Sequence, residues 1–181
     1  MNKLFVLGPK GSVSSFVAER FKDDFKIIYC KTFAEIFRSA AKARGWALAP
    51  VRNKIIGSVK VTESQLNSGL WRLEKKIRVS VRFVMATKDK IRLDSVQRIY
   101  GPPQAVNQCH YFLSRHFKGV PITYTRSTGS AFKHVASLKR IKGAAIGAAG
   151  GAQLHGLHAI VYDIQDDHDD WTEFSLVEYV G

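Results

Sequence analysis

The chain has 181 residues, 45% hydrophobic and 24% charged, the balance of a globular protein with room for one large domain or two small lobes. No apolar run is long enough to span a bilayer, and MNKLFVLGPKG has too short an apolar segment for a signal peptide, so a cytoplasmic protein without a membrane partner is expected. The net charge of +13 fits nucleic acid, anionic lipid or small anions, but the 28 Lys and Arg are scattered, and the densest groups, EKKIR around Lys75 and LKRIK around Lys139, are short. With no basic arm or recognition module, a dedicated nucleic-acid binder is not expected.

KLFVLG (Lys3–Gly8) reads as a buried strand, followed by the glycine-bearing loop PKGS and a helix from Ser14 to Phe21. FKIIYC (Phe25–Cys30) is strand-like. Thr32 and Glu35 have the spacing of a capping box that opens a helix to about Ala43. WALAPV (Trp46–Val51) is a strand ending in the polar loop RNKIIGS. RVSVRFVM (Arg78–Met85) alternates apolar and basic residues and predicts one long strand with a wet face. Pro103–Phe117 predicts a single helix, with Ala105, Val106, Cys109, Phe112, Leu113 and Phe117 on one stripe. Strand ITYT, helix Ala131–Leu138, strand AAIG, a short helix, strand HAIVYDI and strand FSLVEYV complete an α/β alternation.

Cys30 and Cys109 are the only cysteines and are expected as free thiols, with no Cys-x-x-Cys spacing for zinc. Cys109 falls on an apolar stripe and reads as core. The acidic run IQDDHDDWTEF (Ile164–Phe174) reads as a metal loop, a solvated turn or an altered copy of a functional segment. Four loops that follow strands carry polar residues: GPKGS, PVRN, GPPQ and TRST. In α/β proteins such loops line ligand sites. Taken singly, their residues also have plain structural readings. Asn53 suits a turn, Gln104 a helix start, Ser127 and Thr128 a helix cap, and Thr172 a strand.

In this order the loops resemble the catalytic domain of the prephenate dehydratase family. The family's glycine-proline-x-glycine-threonine-phenylalanine-serine stands here as Gly8, Pro9, Lys10, Gly11, Ser12, Val13, Ser14. Its proline-isoleucine-glutamate-asparagine-serine, then glycine-serine-valine, correspond to Pro50, Val51, Arg52, Asn53, Lys54, then Gly57, Ser58, Val59. Its serine-histidine-proline-glutamine-alanine resembles Gly101, Pro102, Pro103, Gln104, Ala105, with the later glutamine-cysteine at Gln108 and Cys109. Its serine-threonine matches Ser127 and Thr128, its alanine-isoleucine-glycine matches Ala145, Ile146, Gly147, and its tyrosine-glycine-leucine becomes His155, Gly156, Leu157. The closing threonine-arginine-phenylalanine is Thr172, Glu173, Phe174.

The resemblance implies an α/β, two-lobed fold like type II periplasmic binding proteins, with a ligand cleft between the lobes. Lobe one would comprise residues 1–78 plus 165–181, and lobe two 79–164. The family usually carries a following phenylalanine-sensing domain and sometimes a fused chorismate mutase; with the sequence ending at Gly181, a few residues past the threonine motif, neither is expected here. The resemblance further implies no metal or cofactor, and a tendency to form a homodimer. The implied activity is a lyase of phenylalanine biosynthesis, a decarboxylating dehydration of prephenate or a close cyclohexadienyl analogue to an aromatic pyruvate. Thr172, Asn53 and Gln104 would be catalytic. Ser12, Arg52, Ser127, Thr128, Glu173 and Phe174 would bind the small anionic substrate. The acidic run would be a solvated turn that delivers Thr172.

Two departures bear on function. The family's glutamate is Arg52, and the arginine after its threonine is Glu173, a reciprocal charge swap. Either the two side chains pair in reverse and preserve the architecture, or the relocated guanidinium alters the chemistry. The alternatives are therefore a prephenate decarboxylase giving a non-aromatic dihydro-hydroxyphenylpyruvate, and an inactive anion-binding relative.

Overall fold

Leu4 and Val6 alternate with Phe5 along the first strand, so its apolar side chains feed two cores, one on each face of the sheet it joins. In the computed structural model, which describes all 181 residues, the opening segments are β1 (Asn2–Leu7), α1 (Val13–Ala18), β2 (Phe25–Cys30), α2 (Phe33–Lys42), β3 (Trp46–Asn53), β4 (Gly57–Ser58), α3 (Lys60–Leu66) and β5 (Trp71–Ser80). Thr32 caps α2 by accepting the Glu35 N–H at 3.1 Å, while the Glu35 carboxylate accepts the N–H of Lys31 at 2.8 Å. The reciprocal half of the capping box is thus shifted one residue outward.

The chain then builds β6 (Phe83–Thr87), β7 (Arg98–Gly101), α4 (Pro103–Asn107), α5 (His110–His116), β8 (Ile122–Tyr124), α6 (Thr128–Ser137), β9 (Gly143–Ala148), α7 (Ala149–Leu154) and β10 (His158–Tyr162). These strands form a five-stranded sheet in the order β10-β6-β9-β7-β8. Strands β7, β8 and β9 run parallel, and β6 is antiparallel to β9. Val84, Ala86, Tyr100 and Ala145 from the sheet pack with Ala131, Phe132 and Val135 of α6.

The final strand, β11 (Trp171–Tyr179), rejoins the first sheet between β3 and β5. The order is β2-β1-β3-β11-β5, with β4 paired to β3. Strand β11 is antiparallel to both its neighbours, whereas β1, β2 and β3 are parallel. One face buries Leu4, Leu48, Phe174 and Leu176 under α1, and the other buries Phe5, Ala47, Ala49 and Val177 under α2.

The chain divides into two compact units, Met1–Val81 with Asp169–Gly181, and Arg82–His168. The crossings lie a few residues later than 78/79 and 164/165, because β5 runs to Ser80 and because Ile164 and Gln165 both bond to Phe83. Two expected elements break. Arg78–Met85 is not one strand but the end of β5 and the start of β6, in different sheets. A period-2 pattern reports burial on a strand face and not which sheet the strand enters.

The helix expected over Pro103–Phe117 is two, α4 and α5, interrupted at Gln108 and Cys109. There the Gln108 carbonyl accepts the Asp166 N–H at 2.7 Å, and the Asp166 carboxylate accepts the Tyr111 N–H at 3.0 and 3.2 Å. The apolar stripe survives the break, since Ala105, Val106, Cys109, Leu113 and Phe117 are all buried. No helix is long and apolar enough to cross a membrane.

Candidate active site

Strands β3 and β11 place Asn53 opposite Thr172 and Arg52 opposite Glu173. Successive strand residues point to opposite faces, so these two rungs look out of opposite sides of the sheet. Thr172 shares its side with Phe174 and Leu176, the face covered by α1. Glu173 shares its side with Val177, the face covered by α2. The register slips between Glu173 and Phe174, where Val51 is the additional residue on β3.

On the Thr172 side, Asn53 is 8% exposed and held at both ends. Its Oδ1 accepts the N–H groups of Ile55 at 3.0 Å and Ile56 at 2.9 Å. That forces the amide the other way round toward β11, where Nδ2 donates to Asp170 Oδ1 at 2.9 Å, the Trp171 carbonyl at 3.0 Å and Thr172 Oγ1 at 3.1 Å. Because Thr172 Oγ1 receives a hydrogen from Asn53, its own hydroxyl hydrogen is directed elsewhere. The half-buried Thr172 therefore presents a donor.

On the other side, Glu173 gives its carboxylate to Arg78 of β5, its opposite number across β5–β11, at 3.4 Å. The Arg78 guanidinium stacks 4.0 Å from the centre of the Trp171 ring. Arg52 is exposed and makes no ion pair. Arg52 and Glu173 are neighbours by register, yet the reverse ion pair that was one of the two readings of the charge swap does not form.

The remaining candidates separate by what their side chains do. Ser12 caps α1, accepting the Ser15 N–H at 3.2 Å, while Ser15 Oγ accepts the N–H of Gly11, whose φ of 89° suits glycine. Phe174 is 1% exposed and sits in the core under α1. A ring so placed packs against the protein core.

In the second unit, Gln104 is exposed in the first turn of α4, which follows β7. Ser127 is the N-cap of α6, accepting the Ser130 N–H at 3.1 Å while Ser130 Oγ accepts the Ser127 N–H at 3.0 Å. Its hydroxyl thus serves the helix. Thr128 is half-buried at the first position of α6. Both helices start beyond the C-terminal ends of parallel strands, β7 and β8.

The acidic run is a solvated turn only at His168 and Asp169, which are exposed. Asp166 bonds to the first turn of α5, and Asp170, 2% exposed, bonds to Asn53. Asp170 is the residue that reading by sequence missed. Its only signal was membership of an acidic cluster, which says nothing about which aspartate turns inward. No three His, Cys, Asp or Glu side chains converge as a metal-ligand set. Burial pushes the Cys30 thiol up to about 11, helped by the nearby Glu35 carboxylate, and burial pushes Cys109 well above the usual thiol range. Both are inert packing groups at neutral pH.

Residues 4–180 match the family model described as prephenate dehydratase. The bifunctional chorismate mutase/prephenate dehydratase of Buchnera aphidicola is 28% identical over 176 residues, covering 94% of this chain and 46% of the relative. The prephenate dehydratase of Methanocaldococcus jannaschii is 27% identical over 183 residues, covering 98% of this chain and 65% of the relative. The chain spans about half the length of the bifunctional relatives it matches. A crystal structure of prephenate dehydratase from Arthrobacter aurescens in complex with L-Phe superposes with a TM-score of 0.86 at 23% identity, covering 100% of this chain and 61% of that chain. At that identity the likeness establishes the fold, which is α/β, two-lobed and type II periplasmic-binding-protein-like.

Proposed function

Because this chain belongs to the prephenate dehydratase family, we propose that it is a carbon–oxygen lyase converting prephenate, or a close cyclohexadienyl analogue, to an aromatic pyruvate. The C4 hydroxyl leaves with its bonding pair, takes up a proton and becomes water. The ring carboxylate departs as carbon dioxide, and its bonding pair enters the ring. Aromatisation drives the step, so the protein's tasks are to hold a dianion and to assist a poor leaving group.

The observation that carries this reading is the hydrogen bond from Asn53 Nδ2 to Thr172 Oγ1. It makes Thr172 an oriented donor for the leaving oxygen, and polarisation by Asn53 strengthens that donation. A threonine is too weak an acid to surrender its proton alone, so the proton reaching the water comes through the hydrogen-bonded chain. Gln104 offers a second neutral amide. In the Gly8–Ser12 loop the N–H groups of Gly8, Gly11 and Ser12 are taken within the protein, which leaves that of Lys10 for a carboxylate oxygen; the start of α6 at Thr128 suits another.

The decarboxylase alternative drew on the charge swap at Arg52 and Glu173. The register weighs against it, because both residues stand on the face away from the Thr172 hydroxyl. The test is incubation with prephenate at neutral pH, with Thr172→Ala as control and products identified by proton NMR. Phenylpyruvate that is lost in the variant supports the reading. A dihydro-hydroxyphenylpyruvate replaces it with decarboxylation. Thermal stabilisation by prephenate without any product replaces it with an anion-binding protein.

A further inference from the structure

We infer that Asp170 is a positioning residue that fixes the Asn53 amide so that Thr172 works as a donor. The inference rests on the proposed role of Thr172 and extends the site to a residue in the acidic run. Asp170 is 2% exposed, and its Oδ1 accepts from Asn53 Nδ2 at 2.9 Å. Its backbone is tied down as well, since its carbonyl accepts the Val81 N–H at 2.9 Å at the end of β5. The aspartate is therefore held by the sheet and holds the amide in turn.

The amide nitrogen carries two hydrogens and faces three acceptors, Asp170 Oδ1, the Trp171 carbonyl and Thr172 Oγ1. A carboxylate is the strongest of these acceptors and takes one hydrogen outright. Engaging that hydrogen sets the plane of the amide, and the plane aims the other hydrogen at β11, where Thr172 Oγ1 receives it. Ile55 and Ile56 clamp the far end through Oδ1. Without Asp170 the amide still has its Oδ1 clamp, but the pull that orients Nδ2 is lost. Thr172 then recovers the freedom to turn its hydroxyl toward solvent instead of the substrate.

The experiment compares wild type, Asp170→Ala and Asp170→Asn. It measures kcat and KM for prephenate, thermal melts, and the side-chain amide signals of Asn53 by nitrogen–proton NMR. Loss of one charge-assisted hydrogen bond made to a positioning group corresponds to about 10- to 100-fold in kcat, with KM within about threefold. Asp170→Asn keeps an acceptor oxygen and recovers most of the rate. The Asn53 signals move and exchange faster in Asp170→Ala and stay near their wild-type positions in Asp170→Asn.

A folded Asp170→Ala protein with near wild-type kcat overturns the inference. So does a loss of kcat with the Asn53 signals unmoved, or an Asp170→Asn protein as slow as Asp170→Ala. Where Asp170→Ala does not fold, Asp170→Ser, too short to reach Nδ2, takes its place. If wild type makes no product from prephenate, the functional reading fails separately. The Asn53 signals then decide alone: moved in Asp170→Ala, the positioning stands; unmoved, it falls.

Discussion

Glu173 stands opposite Arg52 in the β3–β11 pair, yet its carboxylate lies against Arg78 of β5, at 3.4 Å. The three residues form one rung across three strands, with the acid in the middle and an arginine on each side. The neighbouring rung, Asn53–Thr172–Val79, points the other way. Exchange of charge between positions 52 and 173 therefore rearranges a surface rung and leaves the Thr172 hydroxyl's own partners in place.

It follows that Arg52→Gln and Glu173→Gln each keep kcat within about threefold, since both stand on the face away from the Thr172 hydroxyl. The Arg78–Glu173 pair is partly exposed and couples by about 0.2–1 kcal/mol in a double-mutant cycle, less at high salt. The reciprocal variant Arg52→Glu with Glu173→Arg is no rescue, because it sets a second guanidinium beside Arg78. A tenfold or larger fall in kcat for Arg52→Gln would contradict the two-face assignment.

Thr172→Val and Asn53→Ala separate chemistry from stability. The valine variant keeps the shape of the side chain and removes the donor, so kcat falls at least about 100-fold with little change in melting temperature. Asn53→Ala loses the same donor orientation and also strips Ile55 and Ile56 of their side-chain acceptor. It costs about 1–3 kcal/mol of stability in addition. Rate and urea-midpoint measurements on the two proteins resolve the difference.

Phe174 gives the opposite pattern. Its ring is buried under α1, so Phe174→Ala destabilises by about 3–5 kcal/mol through the lost transfer energy and the cavity left behind. Phe174→Leu, nearer in volume, folds with KM for the substrate unchanged within about twofold. A selective rise in KM for the leucine variant would place Phe174 in the binding set.

Gly147 is required by packing. A Cβ there would lie 2.7 Å from the Phe132 ring and 2.8 Å from Thr128 Cβ, both on α6. Gly147→Ala therefore pushes on the start of α6, where Ser127 forms its cap, at a cost of about 1–3 kcal/mol. Melting temperature reads the cost. An unshifted melt would mean that α6 can move away freely.

The Cys30 thiol makes a pH prediction whose sign is set by burial. Its folded value is about 11 against an ordinary 9.0, so between these limits the unfolded chain releases a proton that the folded chain retains. Folding stability from this group is fully present below about pH 9 and is lost as pH rises toward 11. Urea midpoints at pH 8 and pH 10.5 should diverge, by less in Cys30→Ala. At neutral pH the thiol should resist alkylation until the protein unfolds.

The parts of the fold legible in the sequence are those written locally. Short apolar runs marked Lys3–Gly8 and Phe25–Cys30 as strands, and Thr32 marked the start of α2 through its cap. Motif order carried the family, because each loop must arrive after its strand at the right distance along the chain. Asn53 and Thr172 were named on that ground, and the structure brings them to 3.1 Å. Ser127 read equally well as a cap or as a ligand group, and its hydrogen bonds go to the cap.

The failures share a cause. Arg78–Phe83 alternates although the chain leaves one sheet and enters another within it, and Pro103–Phe117 keeps its stripe across two helices that Asp166 helps to separate. The acidic run hid one buried aspartate, Asp170, which bonds to Asn53, and a half-buried one, Asp166, which bonds to α5. In each case the deciding partner is distant in the chain.

What the sequence determined by itself is the family, the α/β alternation and which residues carry hydroxyl, amide and charge. What only the tertiary structure decided is which face each of them occupies. Adjacent residues such as Thr172 and Glu173 part to opposite sides of a strand automatically, but which side meets Asn53 depends on the register of β11 against β3. That register is set by pairing across more than a hundred residues of chain, with Val51 bulged to accommodate it.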